Sequence, residues 1–106
     1  MDCSCEKTND ILFEADFADP VWCAVCKENL DLDEFPISNE LKQMIGNWTK
    51  KYGHWLDWDK ELLKIDAVRT EEEFNKEGRL LSIKLQHELP NFTICYKKSY
   101  LSSFYT

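Results

Sequence analysis

The sequence predicts an α+β domain in which a small antiparallel sheet, made of an N-terminal hairpin and a C-terminal strand, is covered by two amphipathic helices. Three patterns support this class: apolar residues that alternate near the N-terminus, two segments with apolar residues at helical spacing, and a final short alternating segment. The 106 residues are enough for one such domain. We expect a flexible tail over residues 1–10, the α+β domain over residues 11–98 and a short C-terminal tail over residues 99–106.

The N-terminal segment has the pattern of a hairpin. Apolar and polar residues alternate over residues 11–17, as in a half-buried strand, and this pattern places Phe17 on the inward face. Pro20 ends the run because proline donates no hydrogen bond to a strand ladder. Residues 21–26 form a second short apolar run, and residues 30–33 alternate again. These segments therefore predict a hairpin of two or three short strands.

The first helix is predicted to begin at Ser38. Its hydroxyl can accept a hydrogen bond from the free backbone N–H groups of a helix start, and Glu40 suits the positive end of the helix dipole. The apolar residues at helical spacing are Leu41, Met44, Ile45, Trp48, Tyr52 and Trp55. Gly53 weakens the end of this helix. Residues 54–59 predict an aromatic and acidic corner rather than a regular element.

The second helix is predicted to begin with a capping box formed by Thr70 and Glu73. In a capping box, the side chain of each residue accepts a hydrogen bond from the backbone N–H of the other. The apolar stripe of this helix consists of Phe74, Leu81, Leu85 and Leu89. Gly78 lies on the same face, where a missing side chain lets another part of the chain approach closely. Pro90 ends the helix, and residues 92–96 predict the last strand. The expected core residues are Trp48, Phe74, Leu81, Leu85 and Ile94.

Charge and composition narrow the class of partner. Lys and Arg number 13 and Asp and Glu number 20, so the formal net charge is −7. Because nucleic-acid binding depends largely on Lys and Arg neutralising phosphates, this charge argues against a nucleic-acid partner and favours a basic or neutral one. No stretch approaches the ~20 consecutive apolar residues of a membrane span, and the polar N-terminus does not resemble a secretory signal. We expect a cytoplasmic protein without membrane contact, as a monomer or weak homodimer.

The cysteines leave one metal hypothesis open. Cys3, Cys5, Cys23 and Cys26 form two close pairs that could supply the four thiolates of a tetrahedral zinc site. However, Cys23 and Cys26 would face opposite sides of a regular strand. Because free cysteine is commonly a small buried residue, we predict no metal ligand and no cofactor. A small four-cysteine zinc module is the alternative.

No catalytic motif is recognised in the sequence. His54 and His87 lack the spacing of a metalloprotease pair, and no serine or cysteine stands in a known nucleophile context. We therefore predict no catalytic residue and a protein that is not an enzyme. The other interpretation, an enzyme of unknown activity, requires a pocket with convergent polar groups.

Acidic residues cluster on both sides of the first predicted helix and alternate with tryptophans after it. The residues we predict to contact a protein partner are Asp31, Asp33, Glu34, Trp55, Asp57, Trp58, Asp59 and Glu61. Tryptophan is enriched at the energetically dominant positions of interfaces, and complementary charge favours specific, fast association. The ordinary alternative is that these carboxylates are solvated caps and loops.

Several segments together carry a resemblance to a known kind of protein. They are residues 21–23, 29–38, 72–74 and 88–90, with Leu41, Trp48, Tyr52, Gly78, Leu81, Leu85 and Tyr96 between and after them. This pattern resembles the small bacterial immunity-type or uncharacterised proteins encoded near polymorphic toxins of the contact-dependent or Rhs type. The sequence departs from the pattern at residues 26–28, where a glycine is expected in the turn.

The resemblance implies a function in binding. It implies a non-enzymatic acidic protein that neutralises a cognate toxin domain, and hence a protein partner, such as a basic toxin domain. A nuclease toxin handles phosphates and therefore has a basic active site. An acidic protein can cover such a site and be steered to it by charge.

Overall fold

The computed structural model describes residues 9–60 and 62–104. In chain order, the elements of this part are β1 (Asp10–Glu14), β2 (Val21–Cys23), a 3-10 helix (Leu32–Glu34), α1 (Asn39–Thr49), β3 (Leu56–Asp57), β4 (Leu62–Leu63), α2 (Ala67–Glu88), β5 (Thr93–Lys97) and a second 3-10 helix (Leu101–Phe104). Strands near the N-terminus, two helices and a strand near the C-terminus confirm the predicted α+β class. No helix within the described ranges has the length and apolar character needed to cross a membrane.

The larger sheet has three strands in the order β2-β1-β5. β2 pairs antiparallel with β1, which confirms the N-terminal hairpin. β5 pairs parallel with β1, so the expectation of an antiparallel sheet throughout is wrong for this strand. The reason is topological, because the long connection through α1 and α2 returns the chain to the end of the sheet where β1 begins.

Trp48 of α1 lies at the centre of the core. Its ring stacks between Phe13 and Phe74, with centroid distances of 5.2 and 4.5 Å. Its Nε1 donates a hydrogen bond to the Phe74 carbonyl over 2.9 Å, so the buried polar atom is satisfied. Trp48, Phe74, Leu81 and Leu85 are buried as predicted, whereas Ile94 is half-buried against the core.

The two helices begin differently from each other. Ser38 caps α1 as predicted, because its Oγ accepts the Leu41 N–H over 3.1 Å. The capping box predicted for α2 is wrong, since α2 begins at Ala67. Ala67 is buried in the core, and the Thr70 hydroxyl donates to the Asp66 carbonyl over 3.0 Å. Core burial of Ala67 therefore extends the helix one turn toward the N-terminus.

Three short segments also differ from the sequence-based expectation. β1 ends at Glu14, and Phe17 is 71% exposed rather than facing the core. Residues 30–33 do not form a strand, because the chain turns into the 3-10 helix that the Asp31 side chain caps. The β3–β4 hairpin was not predicted, since each of its strands has only two residues and shows no alternation.

Candidate functional site

The loop between β1 and β2 connects the two acidic groups that lie before and after α1. Phe17 in this loop contacts the ring of Trp58, with 5.8 Å between ring centroids. On the other side of the loop, an Asp19 carboxylate oxygen accepts the Leu32 N–H over 2.9 Å. The loop therefore joins the turn after α1 to the 3-10 helix before it. We call residues 15–20, 31–34 and 57–59 together the acidic–aromatic end.

The aromatic part of this end is held by the backbone beyond α1. Trp58 Nε1 donates to the Gly53 carbonyl over 3.1 Å, and the indole ring lies against Gly53. Gly53 has φ +81°, and a Cβ there would lie 2.8 Å from the Trp58 ring, so only glycine permits this packing. The Tyr52 ring lies 5.0 Å from that of Phe17. Phe17 and Trp58 thus remain largely exposed, yet both are packed in place.

Some of the carboxylates at this end maintain the local turns. Asp31 accepts the Asp33 N–H over 2.9 Å at the start of the 3-10 helix. Asp57 Oδ1 accepts the N–H groups of Asp59 and Lys60, each over 3.2 Å. These side chains satisfy backbone donors that would otherwise lack a partner at a turn. Asp31 and Asp57 therefore shape the surface as well as carrying charge.

Other carboxylates are presented to solvent. Asp33, Glu34 and Asp59 are all exposed. Asp33 lies 3.9 Å from Lys42 Nζ, and an exposed pair at this distance contributes little to stability. A partner can therefore contact Asp33 without breaking a strong internal interaction.

The predicted contact residues do not all lie at the surface. Trp55 is only 2% exposed and packs against Tyr52 and Phe74, with ring centroids 5.9 and 5.1 Å away. Its prediction as a contact residue is corrected, because a core side chain cannot touch a partner directly. Glu61 lies outside the described residues.

Phe17 is a surface aromatic residue of this end that sequence reasoning missed. The alternation of residues 11–17 placed it on the inward face. The flanking sequence could have indicated its exposure, because Asp16, Asp19 and Pro20 lie close to Phe17 and favour a turn over a continued strand. Such polar and proline-containing segments form turns, where an apolar side chain is easily left exposed.

The cysteines do not assemble a metal site in the part of the chain that is described. Cys23 is buried in β2, while Cys26 is exposed in the following turn, where its N–H lies 3.5 Å from Cys23 Sγ. Cys3 and Cys5 lie outside the described residues. Over residues 9–60 and 62–104, no three His, Cys, Asp or Glu side chains are grouped so that they could hold a metal ion.

The two histidines lie in different places. His54 lines an open groove of about 590 Å³ between the end of α1 and α2, together with Glu77. His87 lines another of about 370 Å³ near the start of α1, together with Glu88. Both histidines are exposed, and the two side chains line separate grooves.

The comparison with protein families shows to which family the chain belongs. The model of the family described as Serratia CdiI immunity protein-like matches residues 9–99. The chain belongs to this CdiI immunity protein-like family. The match confirms the resemblance to immunity-type proteins encoded near contact-dependent toxins. No curated protein matches the chain.

Membership of the CdiI immunity protein-like family implies a protein partner. The matched residues run from before β1 to beyond β5 and include all three segments of the acidic–aromatic end. This end combines exposed aromatic rings with solvent-facing carboxylates.

Proposed function

We propose that this protein is a cytoplasmic, non-enzymatic immunity protein that binds a cognate toxin domain and neutralises it. The observation that carries the proposal is the acidic–aromatic end, found on a chain of an immunity-protein family. There Phe17 and Trp58 are exposed, and the two segments joined by the β1–β2 loop carry the exposed carboxylates of Asp33 and Asp59. The partner proposed is a toxin domain with a basic surface, encoded at the same locus.

The aromatic pair supplies the apolar part of the proposed contact. Phe17 and Trp58 are 71% and 47% exposed, so a partner that covers them removes apolar surface from water. Their contact with each other and with Gly53 already restricts their motion. Binding then costs less conformational entropy than it would for freely rotating side chains.

The carboxylates supply orientation and speed of association. The net charge of −7 produces a negative field, and Asp33, Glu34 and Asp59 add exposed carboxylates on two segments of the acidic–aromatic end. A toxin domain that acts on nucleic acid needs a basic active site. Its approach to this end is therefore favoured at low ionic strength and screened by salt.

The test is the affinity for the toxin domain encoded beside this gene, measured by calorimetry. We expect Phe17→Ala to weaken binding by about tenfold or more, because the side chain lies at the centre of the proposed contact. Val25→Ala is the matched control. Val25 is 67% exposed and follows β2, at the end of the strand opposite the loop that contains Phe17. The Val25→Ala variant should therefore bind the toxin domain with the affinity of the wild type.

Two results would contradict the proposal. One is the absence of binding between the wild-type protein and the toxin domain of its own locus. The other is equal affinity of the wild type and Phe17→Ala, provided that thermal unfolding shows both to be folded.

A further inference from the structure

The groove between α2 and β5 carries a charge opposite to that of the whole protein. It has a volume of about 760 Å³. Lys76 and Arg79 line it from α2, and Lys97 and Lys98 line it from the C-terminal side. Glu72 is the one carboxylate among the described residues that line it. On a chain of net charge −7, this is a local concentration of positive charge.

The cations on the helix wall are available to a ligand. Lys97 Nζ lies 3.3 Å from a Glu14 carboxylate oxygen, and Lys98 Nζ lies 5.2 Å from the centre of the Tyr100 ring. Lys76 and Arg79, by contrast, form no ion pair with any residue in the ranges 9–60 and 62–104. Their charges are therefore the ones that an acidic ligand in the groove would neutralise.

The strand wall of the groove is the free edge of β5. Thr93 N–H donates to the Asn9 carbonyl over 2.7 Å, so in this parallel ladder the backbone groups of Ile94 and Tyr96 point away from β1. Gln86 Oε1 accepts the Ile94 N–H over 3.0 Å and covers the beginning of the edge. The backbone N–H and carbonyl of Tyr96 lie on the same edge beyond this point. An edge of this kind can pair with another extended chain.

We propose that this groove binds an extended acidic peptide segment of a protein partner. The peptide backbone pairs with the β5 edge at Tyr96, and its carboxylates contact Lys76 and Arg79. Because side chains alternate along an extended peptide, every second residue can face the same wall of the groove. Ile83 and Ile94 supply apolar surface for the remaining contacts.

A peptide fits these features better than a nucleic acid does. A phosphate backbone has no N–H and carbonyl groups to pair with a strand edge. The net charge of −7 also repels a dense polyanion at long range. None of the described residues that line the groove belongs to the acidic–aromatic end, so variants can test this inference independently of the proposed toxin contact.

The test uses the full-length isotopically labelled protein and a blocked peptide of alternating glutamate and valine, with binding followed by amide chemical shifts in NMR. We expect shifts at Tyr96 and Lys98. The double variant Lys76→Glu/Arg79→Glu should weaken binding by about tenfold or more. The matched control is Lys50→Glu/Lys60→Glu, which changes the net charge equally at exposed sites outside the groove and should bind like the wild type.

A second peptide tests whether binding depends on strand pairing or on charge alone. N-methylation of alternate residues removes backbone donors and keeps every carboxylate, so we expect it to lose binding. Equal binding of the methylated peptide, equal effects of the two double variants, or no binding of the unmodified peptide would overturn the proposal. Tighter binding of an oligouridylate at the same amides would assign the groove to nucleic acid instead and would also overturn it.

Discussion

The two helical glycines of the described chain have very different surroundings. A Cβ at Gly46 in α1 would meet nothing within 4 Å, whereas one at Gly78 in α2 would lie 2.5 Å from Trp48 Cζ2. We therefore expect Gly46→Ala to raise the free energy of unfolding by up to about 1 kcal/mol, because alanine favours the helix. Gly78→Ala should lower it by about 2 kcal/mol, because the buried indole ring must shift. Urea denaturation measures both, and changes of the same sign would contradict the packing described here.

Tyr96 provides a prediction about alkaline pH. Burial raises the pKa of its phenol from 10.0 to about 12, and its hydroxyl donates to the Asn75 carbonyl over 3.1 Å. The unfolded chain loses this proton at lower pH than the folded protein. The stability that Tyr96 contributes is therefore fully present below pH 10 and is lost as the pH rises from 10 to about 12.

The measurement for Tyr96 is an ultraviolet absorbance titration of the folded protein, taken as the difference between the wild type and Tyr96→Phe. We expect the difference to show ionisation near pH 12. Ionisation near pH 10 in a protein shown to be folded would mean that the phenol is not buried.

Single residues also show where sequence reasoning was sufficient and where it failed. The burial of Trp48 followed from helical spacing, since its neighbours on the same face are apolar. The same spacing includes Trp55 but not Trp58, yet α1 ends at Thr49, so a continued helix is not what buries Trp55 and leaves Trp58 exposed. The positive φ of Gly53 decides this, because it turns the chain so that Trp55 enters the core and Trp58 packs over the backbone.

At the scale of elements, hydrogen bonds to the Glu71 carboxylate connect the C-terminal 3-10 helix to α2. One Glu71 carboxylate oxygen accepts the Ser99 hydroxyl over 2.9 Å and the Ser102 N–H over 3.0 Å, and the other accepts the Ser102 hydroxyl. We expect Glu71→Ala to lower the free energy of unfolding by about 2 kcal/mol, because buried donors lose a charged acceptor. Glu72→Ala, at an exposed neighbouring position, should change it little.

Hydrogen exchange locates the effect of Glu71. In Glu71→Ala, the amides of residues 99–104 should exchange faster, while those of β1 keep most of their protection. Unchanged exchange at residues 99–104 would show that Glu71 does not hold this segment.

The elements differ in how far the sequence could predict them. α1 and α2 have enough residues for a helical period to appear, and Ser38 has the side chain that a helix cap needs. β5 was predicted as a strand but not as a parallel one, because alternation carries no information about direction. The buried contact of Glu71 was missed because a run of three glutamates has the pattern of a solvated helix start.

At the scale of the whole molecule, charge is distributed unevenly. The three segments of the acidic–aromatic end carry exposed carboxylates, while four cations and one carboxylate from the described part of the chain line the groove between α2 and β5. The net charge of −7 predicts the sign of a partner's surface, but only the folded chain shows that the β1–β2 loop joins the two acidic segments. Charge reversal should therefore impair neutralisation far more at this end than elsewhere.

The most direct test is the growth of cells that produce the toxin domain encoded at the same locus. We expect the wild-type protein to restore growth and Asp33→Lys/Asp59→Lys to do so much less well. Glu28→Lys/Glu73→Lys changes the net charge equally at exposed positions outside the acidic–aromatic end and should protect like the wild type. Failure of the wild-type protein to restore growth, or equal protection by both variants, would contradict neutralisation of the toxin through the acidic–aromatic end.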